Sequence, residues 1–396
     1  MSSTRKETHM QNFNFHAPTK ILFGKNKVGE IANEIVHHGS RVLLTYGGGS
    51  VKRIGLYDQV VKQLNDNSIF FVELSGIRPN PRISSVRDGV NLCRKNNINF
   101  ILAIGGGSVI DASKAIAAGA TYDGDAWDFP MQKAKVENPL PIGTVLTLAA
   151  TGSEMNGNAV ISNEETLEKR GMGSDLLRPK FSVLDPTYTF SVNKYHTAAG
   201  TVDIMSHIFE NYFAPGNGTF VQDAIAESIL KTCIKYGPVA LKEPENYEAR
   251  ANLLWSGSLA LNGLTLTGKM TGDWATHGIE HEVSAIYDLT HGAGLAIIHP
   301  VWMNYVLDEK TSPKFAQMAR NVWNVEDSDN IKAAEKGIVA VREFFNALDM
   351  PSTLSQANIP EDHFEDMGRK ACVFGKIGSF KRLDSNDVVA ILKKAL

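Results

Sequence analysis

FILAIGGGSVIDASKAIAAGA, Phe100–Ala120, is the stretch that decides the fold. Phe100–Ile104 is an apolar run of strand length. It stops at Gly105-Gly106-Gly107-Ser108, and a helical run of small residues, VIDASKAIAAGA, follows. Strand, glycine turn and helix in that order make half of a parallel βαβ unit. Glycines there let backbone amides approach a phosphate, and the helix N-terminus adds a favourable field. The same residues read equally well as a plain tight turn.

Working outward, the unit recurs. Arg41–Tyr46 (RVLLTY) reads as a buried strand and runs into Gly47-Gly48-Gly49-Ser50. A helical pattern spans Val51 to Leu64, and Ile69–Leu74 is the next strand. Pro79 and Pro81 break the chain before a helix through Cys93. Ile142–Leu148 (IGTVLTL) is another apolar run and leads into a small polar loop, Ala149–Glu154. Ala159–Ser162 and Phe181–Leu184 read as further short strands. Such alternation predicts a parallel sheet covered by helices, with ligands at the carboxyl ends of the strands. Both glycine turns lie there, and two of them favour a dinucleotide. Neither matches G-x-G-x-x-G or carries Gly-Lys-Ser/Thr, so the Rossmann fingerprint and the Walker loop do not apply.

After about Ser191 the strand signals fade. Amphipathic helical patterns take over, as in Ala198–Tyr212, Val221–Tyr236, Tyr247–Leu261 and Ile331–Leu348. A chain of 396 residues suggests two domains. The expected division is an α/β dinucleotide-binding domain over 1–190 and a helical metal-binding domain over 191–396. A formal charge of −3 gives no reason to expect nucleic acid or an anionic membrane as partner. No apolar run reaches the roughly 18–20 residues that span a bilayer. MSSTRKETHMQNF at the N-terminus lacks an apolar signal core. Residues 1–9 read as a disordered leader or tag remnant, with Met10 the natural start. Cys93, Cys233 and Cys372 lie far apart, so neither a disulfide framework nor a cysteine zinc site is indicated, and a reducing cytoplasm fits.

A second informative stretch is DWATHGIEHEVSAIYDLTH, Asp273–His291, which holds His277, His281 and His291. His277 and His281 are four apart and share a helix face. Neutral imidazoles around an acidic helix suit a metal of the zinc or iron type. A capped surface helix with incidental histidines is the bland alternative. His-Gly-Ile-Glu-His also matches H-x-x-E-H, the inverted zinc-peptidase motif, which would use His281 as a ligand and Glu280 as a base. Asp203 and His207, four apart in TVDIMSHIFE, offer two more ligands on one face. Alone that pair reads as a solvated helix face; beside His277 and His291 it completes a set of one carboxylate and three imidazoles.

Taken together, Pro18 to about Pro300 resembles the iron-containing (group III) alcohol dehydrogenase family, particularly its butanol dehydrogenase and broad aldehyde reductase members. The resemblance is carried by Gly105-Gly106-Gly107-Ser108 with Asp111 and Lys114, by GTVLTLAATGSEMN (Gly143–Asn156), by Asp203 with His207, and by WATHGIEHEVSAIYDLTHG (Trp274–Gly292). Ala149-Ala150 stands where relatives often have Pro-Ala or Ser-Ala.

The resemblance implies a metal, Fe²⁺ or Zn²⁺, in a cleft between the two domains, held by Asp203, His207, His277 and His291. His281 matches a histidine near the nicotinamide, as proton relay or structural hydrogen-bonding group. Thr147, Thr151 and Asn156 would line the nicotinamide half of the cofactor cleft, and Gly106, Gly107 and Ser108, with Gly105 and Asp111 beside them, would hold the pyrophosphate. Lys169 matches a lysine near the cofactor ribose, with a solvated loop lysine as the alternative.

The implied activity is reversible hydride transfer between NADP(H) and small aliphatic alcohols or aldehydes such as butanol and butanal, in a homodimer. NADH-dependent butanol dehydrogenase and polyol dehydrogenase are the alternatives within the family. A non-catalytic dinucleotide-binding protein is one outside it. NADP rather than NAD follows from Gly47, Gly48, Gly49 and Ser50. NAD sites usually carry an acidic residue at the matching position. Here glycines leave room for the 2′-phosphate, with Lys52 or Arg53 adding positive charge.

Overall fold

The computed structural model describes residues 9–216 and 218–396. The expected leader, apart from His9, lies outside the described residues. Six strands make one fully parallel sheet: β1 (Lys20–Phe23), β2 (Arg41–Tyr46), β3 (Phe70–Leu74), β4 (Phe100–Gly105), β5 (Ile142–Leu146) and β8 (Phe181–Leu184), in the order β1-β8-β5-β4-β2-β3. Parallel strands need covered faces, so the inner strands β2, β4, β5 and β8 are buried on both sides and mostly apolar, while the edge strands β1 and β3 are half-exposed. Along β2 and β4 the side chains alternate between two cores. Leu43, Ile101 and Ala103 pack under α4 (Ile83–Lys95) and α5 (Gly107–Ala120). Val42, Leu44, Leu102 and Ile104 pack under α1 (Ile31–Ile35) and α3 (Leu56–Asp66).

The expected single helix over 51–64 is two, α2 (Ser50–Arg53) and α3, because Gly55 between them takes φ of 71°. Two strands carry no readable signal. β1 is four residues long. β7 (Glu168–Gly173), with the sequence EKRGMG, is polar and glycine-containing; it is a strand because it pairs antiparallel with β6 (Asn158–Asn163) in a hairpin outside the main sheet. That hairpin reaches the helical half through Arg170 to Glu282 (3.0 Å) and Lys169 to Glu280 (3.4 Å).

From Lys194 onward the chain is helical: α6 (Lys194–Tyr212), α7 (Phe220–Lys242), α8 (Tyr247–Ala260), α9 (Ala275–Tyr287), α10 (His291–Val306), α11 (Ser312–Trp323), α12 (Asn330–Ala347), α13 (Phe364–Ala371) and α14 (Ser385–Ala395). α6 is buried on every side from Thr197 to Tyr212, as a central helix should be. It packs against α10 so closely that a Cβ on Gly292 would lie 2.0 Å from the Ala199 carbonyl oxygen. Among the described residues no helix is long and apolar enough to cross a membrane.

Candidate active site

α6 presents Asp203 and His207 one turn apart. α9 contributes His277 and His281, and His291 opens α10. Glu210, a turn beyond His207, brings the first turn of α9 onto α6. Its carboxylate accepts from the Trp274 amide (2.6 Å) and the His277 amide (3.1 Å), and also from the Thr276 hydroxyl. A carboxylate at that helix end satisfies free N–H groups and suits the field there. Trp274 meets this arrangement in a left-handed conformation, φ 63°, uncommon for so large a residue.

The four expected ligands converge. Donor atoms of Asp203, His207 and His277 lie within 4.8 Å of one another. His291 Nε2 is 3.7 Å from Asp203 Oδ1. Asp203 Oδ1, His207 Nδ1 and His277 Nε2 are buried and have no hydrogen-bond partner. Leaving one such atom unpaired costs stability; three pointing together describe a cation site. Burial holds the His207 imidazole down at about 4, so at neutral pH it is an uncharged ligand.

The remaining atoms of these residues are committed. His277 Nδ1 meets Glu210 Oε1 at 2.7 Å, and His291 Nδ1 meets Glu280 Oε2. Paired this way, each imidazole has its ring orientation fixed and its other nitrogen made a better donor to metal. The Thr151 hydroxyl donates to Asp203 Oδ2 at 3.2 Å. Two other clusters of metal-binding residue types, Glu210–His277–His299 and Glu280–His281–His291, are close enough to hold an ion. In the first, Glu210 is engaged by His277 Nδ1 and His299 Nε2 by the Thr276 hydroxyl, and in the second Glu280 is engaged by His291 Nδ1, so Glu210, His299 and Glu280 act as supports. Burial alone would raise Glu280, but the nearby His291 and Lys169 charges outweigh it and hold the carboxyl well below its usual range. The buried carboxyl groups of Asp203, Glu210 and Glu280 make surroundings that suit a divalent cation. The donor set fits zinc or iron.

Glu280 is fully buried behind His291 rather than facing the cleft. The peptidase reading, which needs it as a base on water, has no geometric support. His281 is half-buried, with its ring 5.6 Å from that of His291, and burial holds its imidazole well below the usual range.

Two cavities meet at the ligands. One, of about 910 Å³, reaches His207, His277, His281 and His291 and has Phe129, Val136, Leu261, Leu266 and Trp274 on its apolar walls. The other, of about 510 Å³, runs along the carboxyl ends of the strands past Gly48, Ser50, Arg53, Gly106, Gly107, Ser108 and Thr147. Thr151 and His291 line both. α5 begins at the second cavity without a side-chain cap, so its first amides face open space. Gly47, Gly49 and Gly105 complete the two turns around it.

Three expected cofactor residues are engaged within the protein. Asp111 accepts from Ser153 Oγ (2.6 Å) and the Val160 amide (2.9 Å). Asn156 donates to the Gly152 carbonyl (2.8 Å) and accepts from Lys114 (3.1 Å). They brace the loop that carries Thr151. Lys169 lines neither cavity; its ammonium faces Glu280. Glu210 and Glu280, as the groups that orient His277 and His291, escaped the sequence reading. The one signal for Glu210 was its position three residues after His207 on the same helix.

Residues 18–186 match the model of the family described as iron-containing alcohol dehydrogenase, and residues 197–396 match the C-terminal model of the Fe-containing alcohol dehydrogenase family. The chain is 53% identical over 389 residues to NADH-dependent butanol dehydrogenase A of Clostridium acetobutylicum, covering 98% of this chain and all of the relative. It is 43% identical to NADPH-dependent aldehyde reductase YqhD of Escherichia coli, over 87% of this chain and 89% of that one. The crystal structure of NADH-dependent butanol dehydrogenase A from Thermotoga maritima superimposes with a TM-score of 0.95 at 43% identity, covering 98% of this chain and 99% of that one.

Proposed function

The chain belongs to the iron-containing alcohol dehydrogenase family, and from that premise we propose that its site carries out reversible hydride transfer between NADP(H) and small aliphatic alcohols and aldehydes such as butanol and butanal. The carrying observation is the convergence of three unpartnered buried donor atoms, from Asp203, His207 and His277, at the junction of the two cavities. Asp203, His207, His277 and His291 hold one divalent metal, which when bound supplies Lewis acidity toward the substrate oxygen. The nicotinamide supplies the chemistry of hydride storage. Everything else is the work of this chain. Residues 1–190 act as the dinucleotide domain and 191–396 as the metal domain. Glu210 and Glu280 keep His277 and His291 turned toward the centre. Gly106, Gly107 and Ser108 seat the pyrophosphate on the open end of α5, and Thr147 and Thr151 flank the nicotinamide half. Phe129, Val136, Leu261, Leu266 and Trp274 exclude water and favour an alkyl chain. His281, uncharged at neutral pH, takes a proton on a ring nitrogen as the alcohol is oxidised and returns it in the other direction.

NADP(H) is supported by the glycine turn. Gly48, Ser50 and Arg53 line that end of the cavity, and among the described residues no carboxylate does. Lys52 is turned away, its ammonium 4.4 Å from the Tyr57 ring centre, so Arg53 is the cation left for the 2′-phosphate. A second reading, NADH, is favoured by the name of the 53% identical relative.

One experiment addresses all of this: metal analysis of the purified protein with an aldehyde and polyol panel assayed with both reduced cofactors. Butanal should exceed glycerol in kcat/KM, NADPH should exceed NADH, and Gly48→Asp should move the preference toward NADH. Dominant polyol turnover, or full turnover in metal-free protein, rejects the proposal. Parity or better with NADH rejects only the cofactor choice. His281→Ala should keep its metal, whereas a peptidase would lose it.

A further inference from the structure

Thr151 stands where the two cavities meet and touches both of the structures that define them. On one side its hydroxyl donates to Asp203 Oδ2 at 3.2 Å. It is the one hydrogen-bond donor to that carboxylate among the described residues, and it leaves Oδ1 buried and free. On the other side its side chain is pressed onto the start of α5: a Cβ on Gly107 would lie 2.7 Å from Thr151 Oγ1 and 3.1 Å from its Cβ. The glycine at 107 is therefore what lets the loop come this near. The loop itself has little freedom. Gly152 follows with φ of 65° and no room beside it, since a Cβ there would meet the Gly257 carbonyl oxygen at 2.5 Å. Ser153 and Asn156 are tied to the buried Lys114 at 2.8 and 3.1 Å.

From this geometry we infer that Thr151 is a positioning residue that couples the two sites: it sets the Asp203 carboxylate for metal and is itself held by the pyrophosphate-binding turn. The inference rests on the proposed function, since it assumes that a metal and a dinucleotide occupy these two places. The loop backbone is already fixed, so what the first ligand sets is the rotation of the Thr151 and Asp203 side chains about their shared hydrogen bond, and the second then finds that pair set. Affinity for each therefore rises when the other is present, by the same factor in both directions.

The test uses the full chain, stripped of metal, with Zn²⁺ and NADP⁺ as probes, and NAD⁺ in place of NADP⁺ throughout if it is the one bound more tightly. Zn²⁺ affinity is measured by chelator competition with and without NADP⁺, and NADP⁺ affinity by fluorescence with and without Zn²⁺. Wild type should show mutual tightening of about fivefold or more. Thr151→Val keeps the shape but loses the hydroxyl; its Zn²⁺ Kd should rise about 10- to 100-fold, and the mutual tightening should disappear. Thr151→Ser restores the donor and should recover both, while a thermal melt checks that each variant is folded. Equal tightening in wild type and Thr151→Val, or none in wild type, overturns the coupling role. A wild type that binds neither Zn²⁺ nor NADP⁺ overturns the proposed reaction, and the coupling with it.

Discussion

His299 sits one contact behind the ligands, fully buried, with Nε2 3.1 Å from the Thr276 hydroxyl. Burial pushes its imidazole down to about 3. In the unfolded chain the same group titrates near 6.5, so on acidification the unfolded state takes up a proton that the folded state refuses. The stability its neutral form supports is complete above pH 6.5 and is lost progressively as pH falls from there toward 3. His207 acts in the same direction. Asp273 and Glu282, which burial raises to about 7, act oppositely over the same range, so the contribution of His299 is read as a difference: in metal-free protein, His299→Gln should lower the dependence of unfolding free energy on pH between about 6.5 and 3 by up to about 1.4 kcal/mol per pH unit. A variant with the wild-type slope would rule out this assignment. At this scale the convergence of Asp203, His207, His277 and His291 was legible because Asp203–His207 is a helical spacing and His277 and His291 flank one helix. Lys169 was not: its expected surroundings are replaced by Glu280, a partner on α9 that only the β6–β7 hairpin brings near. Asp111 and Asn156 do line the larger cavity; what was opaque is their internal partners, which are set by how the loop after β5 closes.

Among the elements, the α6–α10 pair carries the most geometric strain on substitution. Gly292 bears no ligand, but it follows His291 and lies against the Ala199 carbonyl. Gly292→Ala should push the first turn of α10 off α6 and draw His291 away from Asp203. Overpacking of this kind costs about 1–3 kcal/mol, visible as a lower Tm. A displacement near 1 Å at the reacting groups costs roughly 100-fold in kcat/KM. Wild-type kinetics in this variant would mean that α10 has slack the close approach denies. β2, β4, β5 and β8 were legible from their apolar runs, since both faces are buried, and β3 from its apolar start although it is half-exposed at the sheet edge. β1 was not, because four residues make no pattern, and β7 was not, because its strand character comes wholly from its hairpin partner.

Over the whole molecule, the sheet and the ligands draw on different cores. The sheet packs on its own two faces, and the ligands stand in a third core built around α6. His277→Ala should therefore lose most of its metal and nearly all activity while circular dichroism and NADP⁺ binding report an intact sheet. Loss of the sheet signal together with the metal would show that the two halves do not stand apart. The change from alternating strands and helices to helices alone was legible in the periodicity, near residue 190. The contacts that knit the halves were not, because Arg170–Glu282 and Thr151–Asp203 join residues far apart in the chain.

The edge strand β1 pairs with β8 alone, Lys20 against Phe181 and Phe23 against Leu184. On a ribosome the two are separated by most of the N-terminal half, which at about 5–20 residues per second means a delay of roughly ten to thirty seconds. β2, β3 and β4, with the helices between them, are complete long before that. The chain therefore has both glycine turns synthesised while its first strand still waits for a neighbour. His291 leaves the tunnel later again, so during synthesis the two glycine turns exist before the last residue of the metal cluster, and the cavity between them waits for the helical half that lines its other wall.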